Sequence, residues 1–408
     1  KRQFRWGHKY YQPGKVLDLC PFINTQDLHG AYRYFDALTD DARLVLKTIK
    51  TGIGHGGSAL NYCLVENILR TNNGQAAGVL LKDMGHEGNQ RTCEVQTRAV
   101  INAGGPWAEE VRSLAAGKNG KSLNLRRLQG SHLVFPLEKL PLTRAISIWH
   151  PKDKRPVFAF PWEGVAVVGT TDVDLNSSME TDPKLSQEEF EYLLEFVQFS
   201  FPMLELTGTD VQSTFSGYRP VVDTGKSDPS KESRDYILRY ENRLLTVTGG
   251  KLTTFRLIAD QALNSLERKI PNFVLEKKYS PHEKIPSIRL FAKSTIETKR
   301  GARLIGRYGN EVHSMLDELN HEEFKPVENS INLWAEIRWA ARVEGIVHLD
   351  DLLLRRVRLG NLLPDGGLSL MERIKSIIAD ELNWGGDLWA SELNQYIQLI
   401  EHNYSVKV

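Results

Sequence analysis

The stretch Leu244-Leu245-Thr246-Val247-Thr248-Gly249-Gly250-Lys251-Leu252-Thr253-Thr254-Phe255-Arg256 passes from an apolar strand through paired glycines into a helix that opens with a cation and two hydroxyls. A strand, a glycine turn and a helix start, in that order, make an α/β junction. Paired glycines let the backbone come close to a ligand, the first helical amides have no partner within the helix, and the helix dipole favours negative charge there. A phosphate, a carboxylate or a reduced flavin ring would each suit such a turn. An ordinary connection would suit it equally, with Thr253 capping the helix and Lys251 in water.

A second junction of this kind lies upstream. Ala99-Val100-Ile101-Asn102-Ala103-Gly104-Gly105-Pro106-Trp107 runs from an apolar strand into small residues, with Pro106 where a missing amide is harmless. Small residues such as Gly104 let a ligand lie against the strand end, where open α/β sheets bind their ligands. Between the two junctions the pattern changes to strands at 130–135, 157–161, 165–169, 214–219 and 236–239. They are interrupted by a helix over 186–199 with Ser186 and Glu189 at capping-box spacing. A mostly antiparallel β unit is thus inserted between two pieces of an α/β unit.

The flanking regions complete the outline. Asp40 and Asp41 cap a helix, and the runs 59–65, 78–81 and 94–101 form a small antiparallel elaboration. Glycine-rich 52–57 reads as a helix-to-strand loop, because no lysine follows at phosphate-loop spacing. Pro271, Pro281 and Pro286 mark a linker, and helical periodicity over 295–307, 333–342, 349–359 and 370–382 predicts an all-α C-terminal domain. There, Arg355, Arg356 and Arg358 read as a solvated face or salt-bridged interface before they read as a phosphate site.

Composition excludes several classes. The 408 residues exceed one domain of roughly 100 to 200 residues, and no apolar run approaches the length of a membrane span. A net charge of +1 argues against nucleic-acid binding by bulk electrostatics. Cys20, Cys63 and Cys93 have no paired spacing, which suits a reducing cytoplasm and offers neither a disulfide framework nor a metal site.

The charged residues of the β unit form a constellation. His132 sits at a strand start, Arg219 at a strand end and Arg234 where the next strand begins. Arginine gives a bidentate oxyanion clamp and lysine a point charge, so Arg219, Arg234 and Lys251 together suit a phosphate dianion. Asp223 and Asp235 are also available to those arginines as ordinary salt-bridge partners.

The motifs Asp40-Asp41-Ala42-Arg43-Leu44, Asn102-Ala103-Gly104-Gly105-Pro106-Trp107, Gly130-Ser131-His132, Gly169-Thr170-Thr171-Asp172, Tyr218-Arg219-Pro220, Ser233-Arg234-Asp235-Tyr236 and Thr248 through Thr254 occur in one order along the chain. In that order the chain resembles the FAD-dependent, quinone-linked glycerol-3-phosphate dehydrogenases over nearly its whole length, and Asp350 to Arg356 resembles their helical domain. The resemblance implies an α/β, Rossmann-like but incomplete FAD-binding unit (1–121 and 245–270), an inserted, mostly antiparallel β substrate domain (122–244), a linker (271–287) and an all-α C-terminal domain (288–408). It departs at the front: the family's Gly-x-Gly-x-x-Gly turn for the ADP part of FAD does not occur here, so the FAD site is expected to be incomplete, the chain a shortened form, and flavin binding and activity weak.

What the resemblance implies about chemistry follows. The substrate is sn-glycerol 3-phosphate, oxidised to dihydroxyacetone phosphate, with electrons passed to a membrane quinone. Gly104, Gly249, Gly250, Leu252, Thr253 and Thr254 would hold FAD, Arg219, Arg234 and Lys251 the substrate. His132 is the candidate base, an imidazole near its ordinary pKa being poised for proton transfer. Localisation would be cytoplasmic, peripheral to the inner membrane, with room for a homodimer; the basic, aromatic 1–11 suits a bilayer surface but lacks an amphipathic period. Glycerol-3-phosphate oxidase chemistry with O2, a flavin amine or amino-acid oxidase with a carboxylate substrate, and a catalytically silent fragment or interaction domain are the alternatives.

Overall fold

The computed structural model describes residues 7–85, 91–116, 122–175, 178–227, 232–275 and 298–406. The chain opens with β1 (Lys9–Tyr11), α1 (Pro13–Leu19) and β2 (Ala31–Arg33), the two strands pairing antiparallel. Next comes α2 (Asp41–Gly54), where Asp40 caps as expected, its Oδ1 accepting the Arg43 amide at 3.1 Å. The helix runs through Gly52 and Gly54, so the expected loop over 52–57 is a loop only at its end. The hairpin elaboration is β3 (Cys63–Arg70), β4 (Ala76–Asp83) and β5 (Thr92–Gln96), an antiparallel sheet of three strands.

The two α/β junctions lie side by side. β6 (Val100–Asn102) leads into α3 (Ala108–Ala116), and β6 pairs in parallel with the distant strand of the opening stretch, Leu244 opposite Val100 and Thr246 opposite Asn102. Alternate residues of that strand face opposite layers, as strand geometry requires. Leu244 packs with Ile68, Ala76 and Ala115, while Leu245 packs with Ala262, Leu266 and Ile270.

Between them stands the inserted sheet: β7 (Leu125–Pro136), β8 (Ile146–Trp149), β9 (Pro156–Trp162), β10 (Val165–Gly169), β11 (Val173–Asp174) and, after α4 (Gln187–Ser200), β12 (Ser213–Val222). β7 is its axis, with β12 along one edge and β10 followed by β11 along the other. All pairings in this sheet are antiparallel. One face packs Leu133, Phe135, Ala166 and Val168 against Leu193, Phe196 and Val197 of α4; the other packs Val134, Val165 and Val167 against Leu362 of the C-terminal helices. α4 begins with the expected capping box of Ser186 and Glu189. The strand over 236–239, read as part of this β unit, is β13 (Tyr236–Glu241), and it pairs instead with β14 (Leu244–Gly249), which leads into α5 (Phe255–Lys269).

The C-terminal part is helical: α6 (Thr298–Tyr308), α7 (Glu311–Glu318), α8 (Trp334–Val343), α9 (Leu359–Leu362), α10 (Met371–Leu382) and α11 (Gly386–Leu399). Residues 276–297, most of the expected linker, lie outside the described residues. The helix expected over 349–359 is not continuous. Asp351–Arg356 forms a π-helical turn, Arg358 adopts φ 61°, and α9 starts afresh. The break lets Arg358 lie over the Trp162 ring at 4.9 Å and reach Asp40 at 2.7 Å.

That contact belongs to an ionic seam between α2 and the C-terminal helices. Arg43 donates to both oxygens of Glu344 at 2.8 and 2.6 Å, Lys50 pairs with Glu311 at 2.6 Å, and Arg307 reaches Asp40 at 3.1 Å. Arg355 pairs with Asp350 and Asp182. The arginine cluster 355–358 is therefore a salt-bridged interface, the structural reading of its sequence.

Candidate functional site

The carboxyl ends of the parallel pair β6 and β14 carry the two turns, and the turns are bonded to each other. Thr248 Oγ1 donates to the Gly105 carbonyl at 3.0 Å, while Asn102 takes the Gly104 amide on Oδ1 and donates through Nδ2 to the Ala108 carbonyl. Gly105 has φ 54° and open space beyond its Cα, with no heavy atom within 4 Å of a Cβ placed there.

Gly249 and Gly250 have φ 79° and 82°, conformations that favour glycine. The freedom serves packing. A Cβ on Gly249 would meet the Asp235 carbonyl at 2.7 Å, and one on Gly250 would meet Ile258 Cδ1 at 2.7 Å, so the expected close approach of a ligand is not what these glycines accommodate on that side. Gly250 N–H donates to the Asp235 carbonyl. The expected Thr253 cap is also absent: Leu252–Thr254 makes a short 3-10 turn whose Thr254 amide and hydroxyl both bond the Lys251 carbonyl, and α5 follows from Phe255. The amides of Leu252 and Thr253, at the start of that turn, have no partner within it and sit at the positive end of the helix. Exposed Lys251 precedes them. Free amides, a positive helix end and the open side of Gly105 fit the electron-rich edge of a flavin ring.

A cavity of about 110 Å³ opens beside this turn, lined by Leu128, Asp172, Arg219, Pro220, Val221, Glu232, Arg234, Gly249 and Gly250. It brings together four of the expected residues, Arg219, Arg234, Gly249 and Gly250. Arg219 Nη2 donates to the Thr171 carbonyl at 3.0 Å and lies 3.1 Å from Asp172 Oδ1, an approach not aligned as a hydrogen bond. Burial first, then the neighbouring Arg234 and Arg155, holds Arg219 below the usual guanidinium range against the opposing pull of Asp172. The cavity wall thus carries two guanidinium groups beside two carboxylates, Asp172 and Glu232, and an anion bound at the arginines would add to the pull of Asp172 on Arg219.

His132, on β7, lies outside the cavity lining but within the field of the same arginine. Its ring stacks flat on Phe215 at 4.5 Å, its Nδ1 is buried without a partner, and a Cβ on Gly169 would stand 2.3 Å from its Cδ2. Burial, and after it the charge of Arg219, lowers its pKa to about 4. The expectation of an imidazole near its ordinary pKa is therefore not met. The ring is neutral throughout the physiological range and carries a bare ring nitrogen.

Two residues that sequence reasoning left out hold this constellation. Arg155 Nη2 sits 3.5 Å from Asp172 Oδ2, on the other side of that carboxylate from Arg219. Buried Glu189 accepts from Ser131 Oγ, Thr171 Oγ1 and Gln129 Nε2 at 2.8, 2.5 and 2.7 Å besides the amide of Ser186. Its capping-box spacing was visible, but nothing local announced that the same carboxylate ties β7 to the 169–172 segment. Lys251 and the 252–254 turn follow the cavity-lining glycines, whereas Gly104 belongs to the neighbouring turn. Among the described residues no cluster of His, Cys, Asp and Glu could hold a metal ion.

Comparison with known proteins agrees with this geometry. Residues 1–256 match the family described as FAD dependent oxidoreductase, and residues 278–387 match the C-terminal domain of alpha-glycerophosphate oxidase. Aerobic glycerol-3-phosphate dehydrogenase from Staphylococcus aureus is 28% identical over 410 residues, covering 94% of this chain and 72% of the relative. The Staphylococcus epidermidis protein of the same name is 29% identical over 390 residues, covering 91% and 69%. Among solved structures, glycerol-3-phosphate dehydrogenase from Bacillus halodurans complexed with FAD shares the fold, with TM-score 0.73 and 23% identity over 96% of this chain and 79% of that one. With a family model spanning more than half its length, two adjoining glycine turns on a parallel strand pair and an inserted antiparallel sheet, this chain belongs to the FAD-dependent oxidoreductase family.

Proposed function

We propose that this chain oxidises sn-glycerol 3-phosphate to dihydroxyacetone phosphate and passes the electrons on to a quinone. The observation that supports it most is the cavity in which Arg219 and Arg234 face the Gly249–Gly250 turn, because an anion held there lies beside the turn that fits a flavin edge. FAD, when bound, supplies the two-electron oxidant. The chain's own residues do the rest. Arg219 and Arg234 hold the phosphate, and binding energy from that unreacting end orients the carbon that is oxidised. The Leu252 and Thr253 amides and Lys251 lie where negative charge would be favoured. His132, already neutral, accepts the hydroxyl proton on a ring nitrogen.

The relatives' printed names support glycerol 3-phosphate as substrate, and a quinone acceptor would place the reaction at the cytoplasmic face of the inner membrane. The contact in this reading is peripheral; no helix among the described residues is long and apolar enough to cross a membrane. The test is dye-linked and quinone-linked turnover of the FAD-supplemented protein with glycerol 3-phosphate, glycerol and a small amino acid, with peroxide measured in parallel. Turnover with glycerol 3-phosphate alone is expected. Turnover with the amino acid would sink the substrate assignment, and stoichiometric peroxide would move the acceptor to oxygen. Flavin retained after gel filtration, read from visible absorbance, reports how well the chain holds its cofactor.

A further inference from the structure

Gly130 lies in the middle of β7, directly opposite Gly217 of β12. The two glycines differ sharply in surroundings. A Cβ on Gly217 would meet no heavy atom within 4 Å, whereas one on Gly130 would stand 2.7 Å from Arg219 Nη2, 2.7 Å from Thr170 Oγ1 and 3.1 Å from the Thr171 carbonyl. Topology explains the crowding. Arg219 starts from β12 on one edge of β7, while Thr171 follows β10 on the other edge. To bond the Thr171 carbonyl at 3.0 Å, the guanidinium has to cross the face of β7. It crosses at Gly130, the diagonal neighbour of its own cross-strand partner Leu128.

We propose that Gly130 is a positioning residue for Arg219: its missing side chain is the slot in which the guanidinium lies, and that slot fixes the clamp's reach into the cavity. Any larger residue there pushes the guanidinium off the Thr171 carbonyl and away from Asp172. Glu189 supports the arrangement from below by tying Ser131 and Thr171 to one carboxylate. The kinetic part of the proposal rests on the reading that Arg219 holds the substrate phosphate; the placement of Arg219 does not.

The experiment compares Gly130→Ala, Gly217→Ala, Arg219→Ala and the Gly130→Ala/Arg219→Ala pair in the FAD-loaded protein. Gly130→Ala is expected to raise KM for glycerol 3-phosphate about tenfold with little change in kcat, as expected for lost uniform binding. Gly217→Ala, on the same ladder, should match the parent. In the Arg219→Ala background Gly130→Ala should add nothing, because residues acting through one group are non-additive. A second readout needs no turnover: titration of the His132 ring by NMR should move upward in Gly130→Ala, since the Arg219 charge that depresses it has moved away. If Arg219→Ala leaves KM unchanged, the phosphate reading fails and the His132 titration alone decides the slot. The proposal is overturned if Gly130→Ala leaves both KM and the His132 titration at parent values, or if its loss is equally large without Arg219. Should Gly130→Ala not fold, combining it with Arg219→Ala and Thr170→Ala clears the two side-chain atoms at 2.7 Å and leaves the looser 3.1 Å approach to the Thr171 carbonyl; folding should return, and its failure to return overturns the slot.

Discussion

Arg43→Met is expected to loosen the joint between α2 and the C-terminal helices. Glu344 has a fully buried side chain and Arg43 keeps 6% of its own exposed, and the two share a bidentate pair at 2.8 and 2.6 Å. Removing one partner of a buried pair leaves an uncompensated charge, at a cost of about 3–5 kcal/mol. Here Lys50 Nζ, 3.5 Å from Glu344, takes over part of the compensation, while the Arg43 stack on Tyr308 at 4.2 Å is lost. These act in opposite directions, which leaves the expected loss within that range, about 3–5 kcal/mol. The pair Arg43→Met/Glu344→Leu should recover most of that loss, because no buried charge then remains. Urea unfolding followed by tryptophan fluorescence measures both, with the midpoint and slope compared for each variant. A loss below about 1 kcal/mol for Arg43→Met, or a double variant as unstable as the two single losses summed, would refute the reasoning.

Other perturbations follow from the same contacts. Arg219→Ala should raise KM for glycerol 3-phosphate by roughly 10- to 100-fold, the worth of a charge-assisted hydrogen bond, with kcat changed far less; initial-rate kinetics show the split. The rate of the reductive half-reaction should be flat from about pH 5 to 8, because His132 is neutral above its pKa of about 4 and loses its basic form only as pH falls through that value. A sigmoid rise centred on an ordinary histidine pKa would remove His132 as base. His348 is raised from its ordinary value by its hydrogen bond to Glu392, so its contribution to stability is fully present below about pH 6.5 and is lost as pH rises through its folded pKa. His348→Gln should therefore cost less stability at pH 9 than at pH 6, read from urea midpoints. Glu189→Ala strands the buried Thr171 hydroxyl, takes one partner from Ser131 and Gln129 and opens the capping box of α4, which should destabilise by about 2 kcal/mol in the same unfolding assay.

Much of the fold was legible because its signals are local. Ser186 with Glu189 announced α4, Asp40 announced α2, and the apolar run Val165–Gly169 announced a buried strand. What escaped notice depends on residues far apart in sequence. β13 pairs with β14 through the local two-residue turn Asn242-Arg243, but nothing near Tyr236 says that this hairpin lies beside the distant β6 instead of the inserted sheet. The helix expected over 349–359 fails for a similar reason: its periodicity is helical, but Arg358 is drawn out of the helix by Asp40, more than three hundred positions away. Arg155 was invisible in the site for want of any local mark. Its role comes from Asp172, which two arginines share.

The glycines show how such a reading goes wrong and how it is repaired. Gly249 and Gly250 were read as places where a backbone meets a ligand, yet their missing side chains accommodate Asp235 and Ile258. Their part in the site comes instead from positive φ, with which the chain turns at the cavity wall from β14 toward the Leu252–Thr254 turn. Gly130 carries the opposite lesson. Its strand position requires no unusual backbone, and strands disfavour glycine, so its presence calls for a close approach from outside the strand. The atom that approaches is Nη2 of Arg219. Gly217 opposite Gly130 makes room for nothing, so it is the crowding at Gly130, not glycine as such, that singles out the cation on which recognition of a phosphate would turn.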